Sequence, residues 1–436
     1  MIHLSKYRIL LIFILLSTIG VYSCRNSNSR EEKKDTDHIL LAGSSSLHNL
    51  NTEESEDFSS KSLFLENGGN KMALIFIDNE ALPSHVITSA KEKISADLGM
   101  QGANILIVQN APFQSANRDS LFFQEPAEIS PVHQDFIDKI SESIKEAQKN
   151  VQEAEIAWAN VGLTADSLRL GEDGSKEDTI KAPTLENASS DFIPEATFLA
   201  VRSIAGDPIA LLGNYNPKSG GESDLPSSFY RGVNKQIESL IGQLGESSSF
   251  ISVFLPTSYT NIEQQKEGDL SDESLSLSEQ AASAIAAQYQ RLEFHQHPSL
   301  ISSTKNVTLQ LHSLTTLADT SSNNIEEASK SETSKEYPKE ADFPLQTLLI
   351  GEYALAALPF EVSQETVSKI KEANVFSETL IIPYGNGNWG KLPSSSPQEN
   401  ETNEGNIDNN IFQEDAALIV SDQILDQFSA LRAEKK

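Results

Sequence analysis

The stretch from Lys71 to Val108 constrains the fold more than any other part of the chain. Lys71-Met-Ala-Leu-Ile-Phe-Ile-Asp78 is a short apolar run with the length of a buried strand. Ser84 is placed to cap a helix over 85–98. Gly102-Ala-Asn104 breaks that helix, and Ile105-Leu-Ile-Val108 reads as a second apolar strand. Strand, helix and strand in this order imply parallel pairing with a right-handed crossover.

The rest of the chain continues the alternation. Pro131 opens a long helix whose Val132, Phe136, Ile137, Ile140, Ile144, Ala147 and Val151 recur at steps of three and four, one apolar face. Residues 156–168 read as strand and turn. Phe198 to Leu212 reads as a hairpin turning at Gly206-Asp-Pro208. A helix over 226–244 turns Val233, Ile237, Leu240 and Ile241 inward, and 250–255 is another buried strand. An alanine-rich helix covers 278–292, and Val307, Leu309 and Leu311 alternate as a half-buried strand does. Strands at 345–350 and 354–358 flank a Gly351 turn. A helix at 364–373, a strand at 379–382 and a terminal helix over 415–434 follow, with Leu418, Ile419, Ile424 and Phe428 apolar in the last. Segments near 264–277, 318–341 and 394–410 lack periodicity and are expected to be disordered insertions. The mixture predicts an α/β, or α+β layered, body with mixed sheets flanked by helices. No internal repeat is visible.

The 436 residues carry 63 acidic and 33 basic side chains, a formal charge of -30. Such a field repels phosphate backbones, so nucleic acid is excluded as a partner. The one cysteine, Cys24, rules out an intramolecular disulfide. Lys6 and Arg8 precede an apolar run from Ile9 to Val21, too short to span a bilayer comfortably, and Tyr22-Ser23-Cys24 ends it. This reads as a lipoprotein signal over 1–24, with Cys24 acylated and holding the protein on a membrane at the periplasmic face or outer surface. An ordinary signal peptide, or a signal anchor with an incidental cysteine, is the alternative. Residues 25–37 contain no apolar side chain and read as a flexible tether.

From near Ile39 to the C-terminal helix, ordered segments resemble the neutral/alkaline ceramidase family. Met72-Ala-Leu-Ile-Phe-Ile-Asp-Asn-Glu-Ala-Leu-Pro83 is similar to the family's VALVSLDLLGLP, and the stretch from Ala103 to Ser115 to ENILIAATHTHSGP. Asp207 to Pro217 resembles GRPIAVLVNFACHP, Ser223 to Pro226 resembles SADYPG, and Phe254 to Glu263 resembles FLQGAAGDVN. Leu358-Pro-Phe-Glu-Val362 resembles IPGEVF, and Asn386 to Pro393 resembles ANGYIGYIP. The resemblance implies one large neutral-ceramidase-like domain over 38–436, without the family's added C-terminal sandwich. It further implies a zinc ion held by two histidines, a glutamate and a tyrosine, which polarises an amide carbonyl and activates water.

The residues at those positions differ. Ala111 and Phe113 stand where the HTH histidines would, Asn216 falls at the second histidine segment, and Asn388 replaces the tyrosine. Glu263 falls at the family's serine, and Glu361 alone is retained. No realignment restores the imidazoles, because no histidine lies between His85 and His133 or between His133 and His295. A complete structural zinc site is worth roughly 10–16 kcal/mol, and one carboxylate with an amide cannot approach that. The sequence therefore predicts no metal and no cofactor at the family position.

Weaker patterns have ordinary explanations beside the functional ones. His295-Gln-His297 is the one His-x-His pair, but two ligands without a third do not make a site. Glu361 reads as a retained site carboxylate or as an acid bonded to loop backbone. Asp78 reads as a site neighbour or as a turn cap. Tyr215, Tyr384 and Trp389 read as lining of an aromatic cleft for a lipid or other small ligand, or as core. Nothing in the spacing of Ser115 and His133 supports a nucleophile pair. Three functions follow: a membrane-anchored, non-catalytic binding or structural lipoprotein; a ceramidase-like hydrolase of linear amides such as N-acyl sphingosines, with a modified site; or, if the resemblance fails, an unrelated surface adhesin.

Overall fold

The structure is a computed structural model describing residues 38–49, 58–78, 82–109, 129–162, 195–216, 227–245, 249–257, 272–312, 338–376, 378–393 and 411–435. The chain divides into two compact units, Met1–His38 and Ile39–Lys436, and every element belongs to the second. The signal sequence, Cys24 and the tether lie outside the described residues.

The elements repeat one order three times, which the sequence did not reveal. The first round is β1 (Leu40–Asn49), β2 (Phe58–Asn67), β3 (Asn70–Ile77), α1 (Ser84–Leu98), β4 (Ile105–Gln109) and α2 (Pro131–Lys149). The second is β5 (Gln152–Gly162), β6 (Glu195–Ser203), β7 (Pro208–Asn216), α3 (Ser227–Ile241), β8 (Ile251–Pro256) and α4 (Asp272–Tyr289). The third is β9 (Leu300–Gln310), β10 (Glu340–Ile350), β11 (Tyr353–Leu358), α5 (Gln364–Ala373), β12 (Glu378–Pro383) and α6 (Ala416–Lys435). In each round the first three strands pair antiparallel, and the fourth returns through a helix to lie parallel to the third. The repeat is one of topology. Inward positions on the third strands carry Met72, Leu74 and Phe76, then Ala210 and Leu212, then Tyr353, Leu355 and Ala357, so side-chain identity does not betray it.

A short antiparallel contact, Leu40–Ala42 with Gln152–Ala154, joins the first two quartets into an eight-stranded sheet of order β4-β3-β2-β1-β5-β6-β7-β8. The third quartet is a separate sheet, β12-β11-β10-β9. The first strand of each quartet approaches the last-strand side of another: β1 meets β8, β5 meets β12, and β9 meets β3 and the turn entering β4. The arrangement is cyclic, with a central core shared by all three quartets. Outside it, each helix pair buries its own core against its own quartet. Most strands are therefore covered on both faces, which is why they read as unbroken apolar runs.

Local chemistry explains both the agreements and the departures. Ser130 caps α2 by accepting from the His133 amide at 3.1 Å, with Pro131 in the first turn. Ser84 does not cap α1. It is the first helical residue, Pro83 holds the cap position without a side-chain bond, and the helix closes on left-handed Gly99. Val132 and Leu240 are exposed because they sit in the first and last turns of their helices, and Leu418 is exposed because it lies off the buried arc of Ala417, Val420, Ile424 and Phe428. The insertion limits also shift. Asp272 to Leu277 begin α4. Glu340 and Ala341 are strand, matched across the ladder by Gln310 Nε2 donating to Glu340 Oε2 at 2.7 Å. The remaining 264–271, 318–337 and 394–410 lie outside the described residues. Among the described residues no helix is long and apolar enough to cross a membrane.

Candidate functional site

Ligands of open α/β sheets bind beyond the carboxyl ends of parallel strands. The pseudo-threefold arrangement brings three such ends to one pole. Val108 at the end of β4 bridges to Gly385 beyond β12, and the Gln109 amide donates to the Tyr384 carbonyl at 3.4 Å. Thr257 beyond β8 donates to Gln364 Oε1, at the start of α5, at 3.4 Å. Of the positions inferred from the family resemblance, the described ones, Asn216, Glu361 and Asn388, fall near these ends.

The corner contributed by the third quartet is the best defined. Pro359 ends β11, and the segment 359–362 is clamped to the loop 386–393. Trp389 donates its amide to the Pro359 carbonyl at 2.8 Å, Glu361 to Gly390 at 2.9 Å, and Leu392 to Glu361 at 2.9 Å. The loop makes this turn through left-handed Tyr384 and Asn386 and through Gly387 and Gly390, with φ of 56°, 63°, 149° and 92°. The Glu361 carboxylate is engaged at both oxygens. Tyr384 Oη donates to Oε2 at 3.1 Å, and Lys391 Nζ lies 3.9 Å from Oε1. Asn388 is buried, its Oδ1 accepting from the Gly390 amide at 3.1 Å, while its Nδ2 has no partner among the described residues.

The aromatic residues divide differently from the expected cleft lining. Tyr215 alternates away from inward-facing Ala210 and Leu212. It packs on Phe229 at 4.9 Å in the core beneath α3 and α4, where burial raises its phenol far above the usual range. It is a core residue, not a cleft residue. Trp389 packs edge-on to Phe343 at 5.3 Å, part of a cluster with Phe360 and Phe412 under α6. Tyr384 is buried against Glu361.

Asp78 ends β3, its amide bonded to the Ser59 carbonyl at 2.9 Å. Its side chain borders a cavity of about 140 Å³ between β2, β3, β8 and α3. Ala111, Phe113, Ser115 and Glu263 lie outside the described residues. Asn216 pairs with Glu195 across the β6–β7 ladder, and its side chain is outside the described set. His133 meets the His85 ring edge-on at 5.6 Å. His295 stacks on Trp158 at 5.4 Å and exchanges two backbone bonds with Ile156, so it pads β5.

The third-quartet residues do not suit a zinc ion. A phenol hydrogen and an ammonium already face the Glu361 carboxylate, and Asn388 offers an amide, a weak donor for this metal. Among the described residues no three His, Cys, Asp or Glu side chains converge. Lys391, which the sequence reading did not single out, stands at the second tyrosine of the family's ANGYIGYIP pattern.

A second polar centre lies where the first and third quartets meet. Asn386 donates its amide to the Ile107 carbonyl at 2.7 Å, and its Oδ1 accepts from Ile107 N at 3.2 Å and from Lys91 Nζ at 3.0 Å. Its Nδ2 donates to Gln346 Oε1, and Gln346 Nε2 to the Ala103 carbonyl at 2.6 Å. Burial pulls the Lys91 ammonium down to about 8.

Neither a protein-family profile nor a curated protein matches the sequence. Solved structures do match. The chain is similar to neutral ceramidase from Pseudomonas aeruginosa, with a TM-score of 0.58 at 14% identity over 91% of this chain and 75% of that one. It is similar in the same measure to a ceramidase complexed with C2, with a TM-score of 0.59 at 14% identity and the same coverage. The fold is thus neutral-ceramidase-like, as the ordered segments implied.

Proposed function

We propose that this protein is an exported lipoprotein, anchored to the cell envelope through Cys24, whose neutral-ceramidase-like body binds a ligand or serves structurally without hydrolysing amides. One observation carries the non-catalytic reading: the retained carboxylate, Glu361, is engaged by Tyr384 and Lys391 instead of facing an open metal position. The histidine distribution supports it, since the middle of the chain holds no imidazole at either ligand segment. The test is a metal count by mass spectrometry together with a ceramide-cleavage assay on the purified full chain. We expect no stoichiometric zinc and no turnover above background. One zinc per chain, or turnover that disappears in Glu361→Ala, refutes the reading. Anchoring is tested separately: Cys24→Ser should move the protein from the membrane fraction to the soluble one.

The second reading is an amide hydrolase with a rebuilt site. It is favoured by the retention of Glu361 on a fold shared with solved ceramidases. The same turnover assay decides between the two.

A further inference from the structure

The cavity beside Asp78 joins two unlike surfaces. Its floor is apolar, formed by Phe76, Ile77, Val253 and Leu255. At its edge Arg231 and Lys235 stand one helical turn apart on α3, both exposed. Neither has an ion pair or hydrogen bond among the described residues. Like charges at this spacing destabilise a helix, and the chain carries 63 carboxylates to 33 bases, so an unpaired cationic pair here is unexpected on composition.

No neighbouring acid forms an ion pair with either cation among the described residues. Glu238, one turn further along α3, is held by Lys61 Nζ at 2.7 Å and by the Ser252 amide at 3.1 Å. Lys61 also donates to the Ser252 carbonyl at 2.9 Å. His48 is placed between Ser46 Oγ at 3.0 Å and Ser59 Oγ at 2.9 Å. Asp78, the other acid bordering the cavity, takes its position from the end of β3. The helix bearing the cations is fastened to β8, because Asn234 Oδ1 accepts from Phe254 N at 2.6 Å and from Ser252 Oγ at 3.1 Å. The two cations are therefore presented on a fixed element over an apolar floor.

We propose that this cavity binds a small organic monoanion. Its carboxylate lies at Arg231 and Lys235, and its apolar body covers Phe76, Val253 and Leu255. Size limits the body: 140 Å³ compares with the roughly 150 Å³ engineered cavity that takes benzene. A single ring or a short branched chain fills that space. A neutral molecule of the same shape forgoes the charge contacts, and inorganic phosphate forgoes the floor. The site is formed by the first two quartets and is independent of the Glu361 corner.

The test is isothermal titration of the full chain with benzoate, benzyl alcohol and inorganic phosphate. Benzoate should bind saturably at one site, at least tenfold more tightly than either of the others. Arg231→Gln/Lys235→Gln should weaken benzoate at least tenfold, and Glu361→Ala should leave it unchanged. Raising the salt tenfold should weaken benzoate on the unaltered protein, a readout that needs no variant. The absence of saturable benzoate binding, phosphate binding as tight as benzoate, unchanged affinity in the double variant, or loss of binding in Glu361→Ala each overturns the assignment.

Discussion

Replacing Lys91 by methionine should stabilise the protein at neutral pH, and the gain should fade as the solution becomes alkaline. Lys91 lies on α1 with its ammonium largely buried, and that group donates to an amide oxygen, Asn386 Oδ1 at 3.0 Å. Burial lowers its pKa from 10.5 to about 8. Each unit is worth 1.36 kcal/mol, so keeping the folded chain protonated costs about 3 kcal/mol wherever both states are charged. Between pH 8 and 10.5 the unfolded chain binds a proton that the folded chain does not, so stability rises with pH across that window. By pH 10 the cost has fallen below about 1 kcal/mol. Methionine fills similar space without the charge but forfeits the bond to Asn386, worth about 1 kcal/mol. Lys91→Met should therefore be more stable than the parent by about 2 kcal/mol at pH 7, and equal or slightly less stable at pH 10.

Urea denaturation of both proteins at the two pH values measures this directly. Taking the difference between them cancels the other lysines and tyrosines that titrate in the same range. A difference between parent and variant that does not change from pH 7 to pH 10 refutes the burial argument. A variant less stable at pH 7 shows instead that the ammonium holds the seam between the first and third quartets more strongly than burial penalises it.

Three further substitutions probe the packing. Asn386→Gly keeps the left-handed backbone but removes the amide that links Lys91, Ile107 and Gln346; it should cost about 2 kcal/mol in urea, and less when Lys91 is already methionine. Tyr384→Phe removes the phenol donor to Glu361 and should cost about 1 kcal/mol, with a double-mutant cycle against Glu361→Gln giving coupling of the same order. Gly43→Ala places a methyl against the Ala147 carbonyl and the backbone of Asn150 and Val151, all in or beside α2; it should lower stability by about 2 kcal/mol or more, and a thermal melt matching the parent shows that the helix can move aside.

How much of this was legible in the sequence follows from which faces are buried. β3, β4, β8, β11 and β12 were found because both their faces are covered, so every position is apolar and the run stands out. β1 and β2 were missed because small polar residues hold buried positions there. Ser45 Oγ donates to the Ser143 carbonyl at 2.7 Å, and Ser62 Oγ meets Ser143 Oγ at 2.8 Å. Those hydroxyls satisfy one another where α2 comes close over Gly43, and a pattern search for apolar alternation passes over them. Tyr215 shows the opposite case. Counting by twos from Ala210 and Leu212 turns it outward, so strict alternation alone would have removed it from the cleft.

At the candidate site the sequence shows which residue types are present, and the fold shows how they are joined. Missing histidines can be counted without coordinates. The pairing of Glu361 with Lys391 and Tyr384 cannot, because it depends on a parallel bridge between the segment after β11 and the loop after β12. The third quartet fastens its own two strand ends with three backbone hydrogen bonds, to Pro359, Gly390 and Glu361. Lys391 Nζ, 3.9 Å from Glu361 Oε1, adds a part-exposed ion pair to that clamp. A part-exposed ion pair contributes about 0.2–1 kcal/mol, so Lys391→Ala should lower stability in urea by no more than about 1 kcal/mol, with coupling of the same order in a double-mutant cycle against Glu361→Gln. Coupling indistinguishable from zero would mean that Tyr384 alone holds the carboxylate.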